Sequence, residues 1–119
     1  MALKLVPPAE RSDAGRRARA AACNVLGASC GEGPLWTPTG PTELARALLG
    51  APLATSTRAL LEVAFALWDG SRGEPLGIVL EHLDRAGLRL VGTLFTAIAD
   101  GDDALQRWTR AHGGDHGVT

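Results

Sequence analysis

Residues 60–73 read "LLEVAFALWDGSRG", and their interpretation decides the fold. From Arg58 to Trp68 only Arg58 and Glu62 are polar, and Asp69-Gly70 ends the run. The spacing predicts a helix over about 57–68. A helix apolar on nearly every side must be covered on nearly every side. Either its own domain wraps it, or another chain supplies part of the cover. Leu61, Phe65 and Trp68 share one face at i, i+4, i+7, and Leu60, Ala64 and Leu67 share the adjacent one. On the second alternative, Leu60, Ala64, Leu67 and Trp68 are the candidate interaction surface.

Outward from this helix, the punctuation marks further short helices. Toward the N-terminus, Gly40 or Thr42 can cap "TELARALL", and Gly50 stops it. Ser12 or Asp13 can cap a helix to about Leu26, with Ala14, Ala18, Ala21, Ala22 and Val25 on its apolar face. Methyl groups bury little area, so this helix is either weakly docked or closely packed. Between the two lies "GASCGEGPLWTPTGP", residues 27–41. Its density of Gly and Pro predicts an irregular loop with neither helix nor strand. Leu35 and Trp36 within it are too apolar to idle and are expected to pin it to the body.

Toward the C-terminus, Pro75 opens a helix with Leu76, Val79, Leu80 and Leu83 on one face. Asp84 is expected to cap the next, whose stripe is Leu88, Val91, Leu94, Phe95 and Ile98. Asp102 or Asp103 is expected to cap a last helix with Ala104, Leu105, Trp108 and Ala111 inward. No stretch alternates with period two. The sequence therefore predicts an all-α single compact domain, five or six short helices around a central apolar helix. Residues 1–11 are expected as a flexible arm, 12–112 as the helical domain and 113–119 as a disordered tail.

Composition narrows the function classes. The 119 residues carry a net charge of −1, which gives no general attraction to nucleic acid or anionic membrane. Charge is uneven, however: residues 1–19 sum to +3 and the remainder to −4. Arg16, Arg17 and Arg19 are thus the candidate polyanion contact, against the plainer alternative of a solvated helix face. No window is long and apolar enough to span a membrane, and no leader is legible in "MALKLVPPAE". Cys23 and Cys30 form no CxxC pair and are expected as reduced thiols, which suits a cytoplasmic chain. The use of Arg over Lys, with abundant Ala, Leu and Gly, suits a GC-rich bacterial genome.

Chemistry is sparse. His112 and His116 in "HGGDH" have helical metal-pair spacing, but two glycines stand between them and no third donor is anchored nearby. "DGDD" at 100–103 lacks the later ligands of a calcium loop. There is no P-loop, and no serine has a histidine close by in sequence. No catalytic residue, cofactor or metal ligand is assigned. The expected function is a non-catalytic helical protein acting through protein contacts, with itself as a homodimer or with a protein partner. One alternative is a small DNA-associated regulator using residues 76–99 as a helix-turn-helix-like hairpin, with Arg85 and Arg89 at the start of its second helix. A small enzyme or metal-binding protein is a further alternative.

Overall fold

A computed structural model describes residues 12–69 and 76–112, the side chains of 69 and 76–78 excepted. The arm over 1–11, the tail over 113–119, and Arg72 and Pro75 lie outside the described residues. Among the described residues six α-helices follow in order: α1 (Asp13–Gly27), α2 (Glu43–Leu49), α3 (Thr55–Asp69), α4 (Leu76–Glu81), α5 (Arg85–Asp100) and α6 (Asp102–Ala111). The chain is all-α, and α3 is its centre.

The caps set the frame. Ser12 Oγ accepts from Gly15 N at 3.0 Å, and Thr42 Oγ1 from Ala45 N at 3.2 Å. Asp84 Oδ1 accepts from Gly87 N at 2.7 Å, which starts α5 at Arg85. Each side chain satisfies a donor that the first helical turn leaves open. Neither Asp102 nor Asp103 caps α6: Gly101, at φ 104°, takes that position without a side-chain bond. A residue at this left-handed φ is best a glycine. The two aspartates occupy the first turn instead, where the helix dipole favours them.

Eight residues of α3 are buried, from Ala59 to Trp68, and only Glu62 and Ala66 in that span are half-buried. The main cover is α1, with α4 and α2 adding smaller contacts. The first helix is therefore closely packed. Its buried face is turned from the one the alanines suggested and shares only Ala18 and Ala22 with it. Gly15, Ala18, Ala20, Ala22, Cys23, Leu26 and Gly27 point inward, whereas Ala14 is exposed and Ala21 and Val25 are half-buried. Cysteine behaves as a small hydrophobe, and Cys23 Sγ lies 3.3 Å from the Ala64 carbonyl oxygen as its donor. Gly27 leaves room for Leu35, whose Cδ1 lies 2.8 Å from where a Cβ would stand.

The 27–41 segment is more ordered than its composition predicts. Ala28–Cys30 form a 3-10 turn, and β1 (Trp36–Thr37) pairs antiparallel with β2 (Gly40–Pro41). The partner that makes this possible is Asn24 on α1. Its Oδ1 accepts from both Leu35 N and Trp36 N at 2.8 Å, and its Nδ2 donates to the Trp36 carbonyl at 3.1 Å. One amide thus offers the loop what a third strand would. Leu35 and Trp36 are buried as expected. The Trp36 Nε1 hydrogen has no hydrogen-bond partner, a cost of about 1–3 kcal/mol. Burying an indole removes about 150–250 Å² from water, worth about 4–6 kcal/mol at 25 cal/mol/Å², so burial wins. Its ring meets Phe65 edge-on at 4.9 Å.

At the other end, α5 and α6 pack on each other, and α6 on α1. Trp108 Nε1 donates to Thr93 Oγ1 at 2.9 Å, tying α6 to α5. Ala111 is exposed and Thr109 takes an inward place, its hydroxyl donating to the Leu105 carbonyl at 3.0 Å.

Candidate interaction surface

The four residues expected to face a partner lie inside the chain's own core. Leu60 is 9% exposed, Ala64 0%, Leu67 4% and Trp68 3%. The wrapping helices close over both faces of α3, so the lack of a wet face needs no second molecule. What the sequence stripe missed is on α5. Leu88, expected inward, is 45% exposed and Leu44 on α2 is 41% exposed. The α5 core face is instead Gly87, Val91, Leu94 and Ala97. Leu88 lies three residues from Val91, at the edge of the counted stripe, where periodicity alone cannot assign a side.

The outer face of α5 has a definite make-up. Arg85, Leu88, Gly92, Thr96 and Ala99 are all exposed. At 3.6 residues per turn they fall within a band of about 80° on the side away from the core. Phe95, half-buried, borders it. Gly92 has open space around an added Cβ, whereas Gly87 would press one against Leu83 Cδ2 at 3.1 Å. Among the described residues nothing requires a glycine at 92. Gly92→Ala is expected to raise stability by about 0.5–1 kcal/mol, because it removes an unfolded-state freedom that the helix must surrender. Urea denaturation checks this, and a destabilised variant would mean that the site is not open.

The basic residues of α1 do not gather into a patch. Arg16 pairs with Asp13. Arg19 is half-buried, with its guanidinium 3.5 Å from the Leu67 carbonyl at the end of α3. Burial lowers its pKa, with Asp102 partly offsetting this. Arg17 alone of the three is exposed. An arginine on a helix C-terminus is a capping arrangement, and Arg58 does the same for α2, donating to the carbonyls of Leu49 and Ala51.

Groups suited to catalysis stay apart. Both cysteines are free thiols. Burial pushes the Cys30 thiol pKa up, and Glu32 adds to it, the opposite of an activated nucleophile. His82 and His112 are exposed, the latter with its ring 5.0 Å from that of Trp108. His116 lies outside the described residues. Among the described residues no three His, Cys, Asp or Glu side chains converge as metal ligands. An open cleft of about 340 Å³ is lined by Ser29, Ser56, Thr57, Asp84 and Leu90 among others. Among the described residues its one carboxylate is Asp84, whose Oδ1 caps α5. No described helix is long and apolar enough to cross a membrane. No protein-family model, curated protein or solved structure matches the chain.

Proposed function

We propose that the protein is a small non-catalytic, cytoplasmic helical module that acts through protein contacts made by the outer face of α5. The observation that carries this reading is Leu88. It is the most exposed large apolar residue of those described, at 45%, and it shares its stripe with a glycine that the chain's own packing does not need. Apolar surface aligned with a site open to close backbone approach suits a helix-on-helix contact.

The DNA reading has a specific basis. Arg85 and Arg89 stand exposed at the start of α5, the second helix of the α4–α5 hairpin. Asp84 precedes them and Asp100 closes the helix, both exposed, and phosphates repel both. Leu88, Gly92 and Ala99 on this face donate nothing to a base edge, and the one hydroxyl among its exposed residues, that of Thr96, donates to the Gly92 carbonyl of its own helix. Protein contact is therefore the better-supported reading.

A photo-cross-linking residue placed at 88 in the full chain, and at Arg107 of α6 as control, tests it in cells. Position 88 is expected to give a discrete protein adduct that position 107 does not. Equal or absent adducts at both would sink the reading, and a nucleic-acid adduct would favour the alternative.

A further inference from the structure

We propose that the occupant of the α5 face is a second copy of this chain, its own α5 laid antiparallel across the first about a two-fold axis close to Gly92. This rests on the reading of that face as the contact surface. Three features of α5 support it together.

The first is charge. A helix favours acids at its N-terminus and bases at its C-terminus. Beyond its Asp84 cap, whose carboxylate is engaged with Gly87 N, α5 runs in the reverse order: Arg85 and Arg89 stand in the opening turns and Asp100 at the end. Among the described residues none of the three forms an ion pair within the chain. An antiparallel second copy sets the Arg85 end of each helix beside the Asp100 end of the other. The reversed charges then become two symmetric sets of interhelical pairs, and the two dipoles oppose favourably. A parallel copy would place arginine on arginine and acid on acid.

The second is position. Gly92 sits midway between Arg85 and Asp100, so the point of closest approach coincides with the point where no side chain intervenes. A two-fold interface is self-complementary, each patch meeting its own copy. A glycine at the axis allows the two backbones to approach closely there. The third is the flank. Leu88 and Thr96 stand four residues to either side of that axis, so Leu88 of one copy packs toward Thr96 of the other, with Phe95 at the border and Ala99 set toward the stem of the other copy's Arg85.

The helix is about 24 Å long at 1.5 Å per residue. One such face buries less than the roughly 800 Å² per partner of a standard interface. The dimer is therefore weak, in the micromolar range and in exchange with monomer.

Sedimentation equilibrium on the full chain, from low to several hundred micromolar, tests this. Two variants reverse the charges at one end each: Arg85→Glu with Arg89→Glu, and Asp100→Arg. Each alone is expected to dimerise at least tenfold more weakly than wild type, since each then meets its own sign at both ends. Mixed in equal amounts, the two are expected to recover association to near the wild-type level. A third variant, Gly92→Gln, is expected to be folded by circular dichroism and monomeric. A wild type that stays monomeric throughout overturns the proposal. So does a dimer that none of the three variants weakens, or two charge variants that fail to complement each other. Should the position-88 cross-link give a protein adduct while the pure protein stays monomeric, the contact face stands and the second copy is excluded. A sequence-selective DNA shift at physiological salt, lost in the double arginine variant, would replace the second copy by nucleic acid.

Discussion

Phe65→Ala is expected to destabilise the fold by about 3–5 kcal/mol. Phe65 is 5% exposed on the central helix, and its ring receives the edge of Trp36 at 4.9 Å. Truncation forfeits the ring's transfer free energy and leaves a cavity beside an indole whose N–H already lacks a partner. The surrounding elements resist collapse into it, because α1 is held against α3 by small residues with no spare length to give. A domain of this size has a total stability of about 5–15 kcal/mol, so the variant is expected to be barely folded or unfolded. Phe95→Ala is the internal comparison: Phe95 is only half-buried and its loss is expected to cost markedly less. Guanidinium denaturation followed by far-ultraviolet dichroism reads both. Equal losses at 65 and 95 would mean that α3 is not the centre of the core.

The fold was legible because α1, α2 and α5 carry their caps in the sequence. Ser12, Thr42 and Asp84 are caps in sequence and in space, and the apolar run at 58–68 has no other resting place than the middle. The misassignments have separate physical causes. The face of α1 was misplaced because glycine and cysteine were not counted as packing residues, although Gly15, Cys23 and Gly27 are all buried. The pairing of Trp36–Thr37 with Gly40–Pro41 was hidden by its prolines, since Asn24 meets the ladder from a helix and not from a neighbouring strand. An all-apolar helix is conspicuous and draws the eye to α3, whose Leu60, Ala64, Leu67 and Trp68 are buried within the chain. The face that stays in solvent is conspicuous only once Leu88 is seen to be 45% exposed and Gly92 to stand in open space. No count of hydrophobic residues reports an exposed glycine, because the signal is a missing side chain where a helix would prefer one.

Asn24→Leu is expected to cost about 2–4 kcal/mol, nearly as much as a core truncation, although Asn24 is only half-buried. Leucine matches the amide in shape but leaves Leu35 N, Trp36 N and the Trp36 carbonyl without the partner that Asn24 supplies. An unsatisfied buried group costs about 1–3 kcal/mol. Water can reach some of the three in this partly exposed setting, so the sum falls short of three full penalties. Asn24→Asp separates acceptance from donation. It keeps an acceptor for the two amide hydrogens and sets a carboxylate oxygen against the Trp36 carbonyl, so a smaller loss is expected. The damage should be local first. Trp36 would lose its latch, and Gly40, which holds close to Trp68 Nε1, would lose the strand pairing that places it there. Tryptophan emission is therefore expected to shift red in the leucine variant before the helices melt. Because α5 is capped by Asp84 and joined to α6 by the Trp108–Thr93 bond, its outer face does not depend on the latch. Self-association of the Asn24→Leu protein should match wild type at temperatures where it remains folded. If dimerisation fell in step with the loosening of residues 35–41, the contact would lie on the loop side of the molecule and not on α5.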